Sequence, residues 1–486
     1  MPTERNATKL RTGIPGLDDI LHGGLIPYRI YLVDGDPGAG KTTLSLHYLL
    51  EGAAHGERCL YVTLSETRNE LLAGAASHGW SLDGVEVVEL AHEQEFDDAN
   101  QLTMYPPSEV ELGATTREIL RVVERVNPQR VVFDSLSELR LLAQSSLRYR
   151  RQILALKQFF VGRSCTVLLL DDRTSDGSDL QLHSLAHGVI SLEQLAPLYG
   201  AERRRLRVVK FRGTDYRGGH HDFTIARGGL RVFPRLVASE HSRAFESGPL
   251  ASGVAELDAM LGGGPDRGTS TLLLGPAGSG KSTVALSYAV AAAARGERAV
   301  VFAFDESEAT LRTRATQLGM TLEPPGPGRV DVVQMDPAEV SPGEFAHRLR
   351  HAVEHDGARV VVLDSLSGYM NAMPEERFLT LQLHELLSYL GRQGATTLMV
   401  LAQHGLVDRP EQSALDASYL ADSVMLFRFY ELDGGVHKAV SVLKKRTGAH
   451  ESTIRELWFG PDGIHVSGPL LQYRGVLTAA PVRAPG

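Results

Sequence analysis

The sequence has only two cysteines in 486 residues, Cys59 and Cys165. That excludes a small scaffold stapled by disulfides. Each stands just before an apolar run, YVTL and VLLL, and reads as a structural thiol beside a buried strand; a disulfide between them is not required. Long hydrophobic runs are also missing. IYLV, TVLLL, TLLL and VVVL are too short to span a bilayer and suit strands buried in a parallel sheet. The N-terminal MPTERNATKLRTG is polar and has no apolar signal core. We therefore expect a cytoplasmic protein with no membrane partner. Excess positive charge is lacking too. The formal net charge is −9, which counts against a surface tuned throughout for nucleic acid, though a local basic track remains compatible with it.

What is present is an ordinary globular composition, 43% hydrophobic and 22% charged, over a length that suits roughly two to four domains. The chain also contains itself twice. TGIPGLDDILHGG begins at Thr12 and SGVAELDAMLGGG at Ser252. GDPGAGKT begins at Gly35 and GPAGSGKS at Gly275, again 240 positions on. Later landmarks keep their order with small drifts: runs ending in Asp134 and Asp364, then VVKFRG around Lys210 and VLKKRT around Lys444. Four ordered landmarks in common indicate duplication. We assign residues 1–240 and 248–474 to two domains, joined through the polar stretch 238–248, with 475–486 as a flexible tail.

Each half reads strand, glycine loop, helix, strand. That alternation predicts an α/β fold, a mostly parallel sheet flanked by helices, in each domain. The loops carry the chemistry. Gly35, Asp36, Pro37, Gly38, Ala39, Gly40, Lys41, Thr42 and Thr43 contain the spacing G-x-x-x-x-G-K-[ST]. Gly275, Pro276, Ala277, Gly278, Ser279, Gly280, Lys281, Ser282 and Thr283 contain it again. Glycines let the backbone curl so that its N–H groups surround a phosphate, and the following helix adds its partly positive N-terminus. Lys41 and Lys281 are expected on the β- and γ-phosphates of ATP, with Thr42 and Ser282 on Mg²⁺.

Mg²⁺ also needs a carboxylate. Asp134 and Asp364 each end a hydrophobic strand, where an unpaired charge is costly; they are the candidate metal-shell acids, with turn capping as the alternative. A group must orient or deprotonate water. Glu66 and Glu306 each stand 25 positions beyond their loop lysine, and Asp305 precedes the second. These are the candidate catalytic acids; the plainer alternative is a solvated acid opening a helix.

With these residues in view, the chain resembles the KaiC family, two-domain RecA-superfamily ATPases of cyanobacterial clocks and their wider relatives. The likeness spans nearly the whole chain and is most specific in AERRRLRVVKFRGTDYRGGHHDFTI. It implies tandem RecA-like P-loop domains and a self-assembled hexamer with ATP held between neighbours. It implies that Lys210 and Arg212, then Lys444 and Arg446, reach a neighbour's γ-phosphate. Two departures stand out. Where the family pairs two glutamates, this chain has Ser65-Glu66 and Asp305-Glu306, so hydrolysis should be unequal between the sites. Where the family phosphorylates an adjacent Ser-Thr pair, this chain has Ser418-Tyr419, leaving Ser418 as a candidate phosphate acceptor for Ser/Thr autokinase activity.

Other features carry less. His220-His221 reads as a polar hairpin turn, not a metal site. Arg148, Arg150 and Arg151, with Arg203–Arg205, read as solvated or interface faces. Gln403 resembles a γ-phosphate-sensing residue, and Asp171 and Asp172 occupy the corresponding region of the first half. The leading functional reading is a signalling or timing ATPase with unidentified signalling partners. A RecA/RadA-like DNA-dependent ATPase is the alternative, and a nucleotide-gated scaffold without useful turnover is the third.

Overall fold

The computed structural model describes residues 9–90, 107–173, 180–197, 200–336, 338–371, 378–402, 418–478 and 482–483. The chain divides into two compact units, Met1–Arg235 and Leu236–Gly486. In the first, nine strands run in sequence as β1 (Ile30–Gly35), β2 (Cys59–Thr63), β3 (Val85–Glu89), β4 (Arg130–Asp134), β5 (Thr166–Asp172), β6 (Gly188–Leu195), β7 (Arg203–Phe211), β8 (His221–Ala226) and β9 (Gly229–Phe233). In the second they are β10 (Ser270–Gly275), β11 (Arg298–Ala303), β12 (Arg329–Gln334), β13 (Ala358–Asp364), β14 (Thr396–Ala402), β15 (Ser423–Leu432), β16 (Gly435–Lys445), β17 (Arg455–Gly460) and β18 (Gly463–Pro469).

The first sheet has the order β3-β2-β4-β5-β1-β6-β7-β8-β9 and the second β12-β11-β13-β14-β10-β15-β16-β17-β18, the same topology twice. Pairing from β3 across to β6 is parallel, and from β6 to β9 antiparallel. These are two tandem RecA-like domains, the α/β class expected from the alternation of elements.

The strands carry uninterrupted apolar runs because both sheet faces are covered. In β1, Tyr31 and Val33 point into the core beneath the helix Lys41–Ala54, while Ile30 and Leu32 point into the opposite core beneath Ser146–Phe160. A strand buried on both sides has no solvent face on which polar residues could alternate. The second unit repeats this: Leu273 faces one core, Leu272 and Leu274 the other.

The shared opening motif has a structural job. Leu17 and Leu257 are fully buried. Asp18 Oδ1 accepts from Thr12 N–H at 2.9 Å and from its hydroxyl at 2.8 Å; Asp258 Oδ1 accepts from Ser252 N–H at 2.8 Å. The T/S-G-x-x-x-L-D pattern thus fixes the loop that enters each domain. Leu236 and Ala238 pack in the core of the second unit. Val476 is buried in a separate small cluster with Tyr430 and Ala439, and Tyr473–Arg474 pairs with Val482–Arg483.

His221 departs from the hairpin-turn expectation. It opens β8, is 1% exposed, and its ring accepts from Arg235 N–H at 2.9 Å and meets the Arg217 carbonyl at 3.0 Å. Burial holds it down to about 4. The ring is a buried brace, and the strand boundary that swallows it is set by pairing with β7 and not by local polarity. Cys59 and Cys165 are buried free thiols. Among the described residues no helix is long and apolar enough to cross a membrane.

Candidate active site

Both glycine loops leave the carboxyl end of the central strand. Gly40 and Gly280 adopt φ of +103° and +102° just before the helices Lys41–Ala54 and Lys281–Ala294, a region that a side chain would disfavour. Gly35 and Gly275 answer a different need. A Cβ there would lie 2.5 Å from the Leu192 carbonyl oxygen and 2.4 Å from that of Phe427. The first glycine of each motif is therefore demanded by the neighbouring strand as well as by the phosphate loop.

Lys41 and Lys281 are buried along their stems and curl back over their loops. Lys41 Nζ donates to the carbonyls of Gly35 and Asp36, each at 2.9 Å; Lys281 Nζ donates to that of Pro276 at 2.7 Å. Burial lowers Lys281 to about 8, opposed only in part by Asp364. Facing each helix start is the expected acid. Thr42 Oγ1 donates to Asp134 at 2.9 Å and Ser282 Oγ to Asp364 at 3.0 Å. Burial pushes both carboxyls up, and a divalent cation would offset that cost. Hydroxyl plus carboxylate at the loop mouth fits Mg²⁺, which takes one or two protein ligands and completes its shell with phosphate oxygens and water. Among the described residues no group of three His, Cys, Asp or Glu could hold a metal alone. Both Asp134–Ser135 and Asp364–Ser365 peptide bonds are cis.

The candidate catalytic acids sit on different footings. Glu66 is exposed at the end of β2, its backbone tied to Thr63 Oγ1. Burial, then the charges of Asp134 and Glu70, raise its carboxyl. Glu306 is partly buried and bound by Arg314, with Nη2 to Oε2 at 2.6 Å. Asp305 accepts from Ser365 Oγ at 2.5 Å. Lys281, Ser282, Thr283, Asp305, Glu306, Arg314 and Asp364 line one cavity of about 610 Å³.

Three carboxylates of the first site have no equivalent in the second. The register sets Asp172 opposite Gly35 where Ala402 stands opposite Gly275, and Asp171 opposite Asp34 where Leu401 stands opposite Leu274. Asp172 Oδ1 lies 2.7 Å from Lys41 Nζ. Asp171 pairs with Arg140 and accepts from Ser137; Asp34 meets His183 and Arg173. Strand-end aspartates were visible in the sequence, but only the register shows that one grips the loop lysine. Gln403 lies outside the described residues. Tyr61, which donates to Asp134, and Arg314 carried no sequence motif.

The cationic pairs lie elsewhere. Lys210 stands opposite Val189 near the start of β6, whereas Gly35 stands opposite Leu192 toward its end. Lys210 Nζ donates to the His183 and Ala186 carbonyls at 2.5 and 2.7 Å, and Lys444 Nζ to those of Ser418 and Ala421 at 3.1 and 2.7 Å. Arg446 pairs with Asp422 and donates to the Tyr419 carbonyl; Arg212 reaches the Ser184 carbonyl at 3.4 Å. All four belong to the amino end of the parallel strands of their sheet, the end opposite the phosphate loop of the same unit. Ser418 lies at that same end.

A chain that builds a phosphate loop, a facing hydroxyl–carboxylate pair and a nearby acid twice on one topology is a tandem RecA-type P-loop ATPase. It belongs to the KaiC ATPase family, whose profile matches residues 10–237 and again 250–470. The chain is 27% identical over 484 residues to the circadian clock protein KaiC3 of Synechocystis sp., covering 98% of this chain and 94% of that one. It is 26% identical over 486 residues to the circadian clock oscillator protein KaiC of Synechococcus elongatus, covering 98% and 92%. The corresponding protein of Parathermosynechococcus lividus is 25% identical over 494 residues, covering 99% and 89%.

Proposed function

We propose that this protein is a cytoplasmic, Mg²⁺-dependent ATPase of the KaiC-like signalling or timing type, acting as a hexamer of identical chains with nucleotide held between neighbours. The observation that carries the reading is the polarity of each sheet: phosphate loop and acids at one end, Lys210/Arg212 and Lys444/Arg446 at the other. In one chain the cations cannot serve their own loop. Head-to-tail packing of copies would bring them to a neighbour's γ-phosphate, and a ring closes such contacts. The relatives named as clock proteins support the signalling or timing role over a DNA-dependent motor, as does the net charge of −9.

Within a site, the loop amides and lysine grip the β- and γ-phosphates, while Glu66 or Glu306 aligns water and takes its proton. Thr42 with Asp134, and Ser282 with Asp364, would hold Mg²⁺, which would supply charge neutralisation when bound. Cations from the neighbour stabilise charge on the phosphoryl oxygens, typically by about 10³–10⁵-fold in rate for a trans arginine. Hydrolysis then depends on assembly.

Native mass measurement with and without Mg-ATP, alongside phosphate release, tests this. The expected outcome is a nucleotide-loaded multimer that hydrolyses ATP. A chain that stays monomeric and hydrolyses ATP at full rate refutes the shared site. The same spectra report any phosphate added at Ser418.

A further inference from the structure

The same acid stands at the same distance from each loop lysine, yet only one is clamped. The helix Glu308–Gln317 in the second unit corresponds to Arg68–Ser77 in the first. Arg314 on that helix falls 240 positions after Gly74. Gly74 is surrounded by open space, with nothing within 4 Å of where a Cβ would stand. Among the described residues no lysine or arginine pairs with Glu66.

Arg314 instead spans the mouth of the second site. Its Nη2 donates to Glu306 Oε2 at 2.6 Å, its Nε to Oε1 at 3.3 Å, and its Nη1 to Thr283 Oγ1 at 3.1 Å. Both side chains are about three-quarters buried, at 24% and 25% exposure. The forked pair is the strong form of a carboxylate–guanidinium contact, and the third bond anchors the guanidinium to the phosphate-loop helix.

We infer that Arg314 is a brake on water attack at the second nucleotide site, committing both oxygens of Glu306 to its guanidinium. The inference rests on the ATPase reading above and adds a control built into one site only. In the step concerned, a water oxygen bonds to the γ-phosphorus and the bond from phosphorus to the ADP oxygen breaks. The water proton passes to Glu306 and then to solvent, leaving ADP and inorganic phosphate. A carboxylate with both oxygens committed to a fixed cation must give up part of that pair to accept the proton. The second site should therefore retain ATP while the first turns it over. Arg314 is a positioning residue in this account: it acts through Glu306 and not on the phosphates.

The test uses the full chain carrying Glu66→Gln, so that single-turnover phosphate release reports the second site. Adding Arg314→Ala should raise that rate by about tenfold, with ATP affinity changed less than about twofold. Arg314→Lys, which keeps the charge and loses the fork, should fall between the two. Adding Glu306→Gln to Arg314→Ala should abolish the gain. An unchanged or lower rate in Arg314→Ala, or a gain that survives Glu306→Gln, overturns the brake. Weakened ATP affinity with no gain assigns Arg314 to the phosphates instead and also overturns it. If the Glu66→Gln protein retains no ATP at all, the nucleotide-site reading fails, and not merely the brake. Matching thermal unfolding curves show that each variant is folded.

Discussion

Asp172 should weaken the first site's hold on ATP. The perturbation is Asp172→Ala, which installs the residue that the register places at the corresponding point of the second sheet, Ala402. Asp172 Oδ1 lies 2.7 Å from Lys41 Nζ, so a γ-phosphate oxygen on the same ammonium would stand roughly 5 Å from the carboxylate. At an effective dielectric constant of about 20, two unit charges at that distance repel by about 3 kcal/mol. Asp172 is 36% exposed, so solvent screening reduces this to about 1–2 kcal/mol. Removing the carboxylate also releases Lys41 from its own partner. Nucleotide titration in a Lys281→Ala background, which silences the second site, should show ATP binding tighter by about 5–30-fold without Mg²⁺. The gain should shrink with Mg²⁺ present, because the cation already screens the phosphates. An unchanged affinity would show that Asp172 swings clear of bound nucleotide. A weaker affinity would refute the repulsion outright and put the carboxylate in the cation's water shell.

The second site should bind ATP less well above pH 8. Lys281 in the free site titrates at about 8, and a bound triphosphate raises it again, so the complex holds more protons than its parts. Affinity then falls as pH rises, by up to about tenfold per unit above 8; calorimetry of a Lys41→Ala variant at pH 7 and 9 checks this, and a flat profile contradicts it. Arg212→Ala and Arg446→Ala should lower phosphate release by at least about 100-fold at the affected site while leaving Mg-ATP retention intact. Mixing Arg446→Ala chains with Lys281→Ala chains should restore part of the activity, and no recovery in confirmed mixed rings argues against sites shared between neighbours. Arg130 is 3% exposed on its side chain, paired with Glu57, bonded to the Arg11 and Tyr48 carbonyls at 2.8 Å, and stacked over the Tyr48 ring at 4.7 Å. Arg130→Ala should destabilise the first unit by about 3–5 kcal/mol in denaturant unfolding, because it strands the partly buried Glu57 carboxylate and the Arg11 and Tyr48 carbonyls and leaves a void at a buried side chain.

The repeat, the parallel sheet and both phosphate loops were legible in the residues alone. Local chemistry dictates them: the loop sequence sets its own backbone, apolar runs of strand length demand cover on both faces, and a 240-position echo needs no coordinates. Asp134 and Asp364 were legible for the same reason, since a charge at the end of a buried strand has few uses. The three-dimensional arrangement decided what depends on neighbours distant in sequence. His221 looked like a turn residue and is buried because β8 pairs with β7. Gly35 is required by the Leu192 carbonyl, which lies 157 positions later in the chain. Asp172 reaches Lys41 only through the β1–β5 register, and the packing of Arg314 against Thr283, 31 positions earlier, ties the Glu306 pair to the phosphate-loop helix. Sequence thus determined which chemistry each site contains, because that is written in contiguous motifs. Beyond the Ser65-Glu66 and Asp305-Glu306 contrast, tertiary structure decided how the two sites differ in their charge contacts, because charges interact through space and no motif records which of them meet.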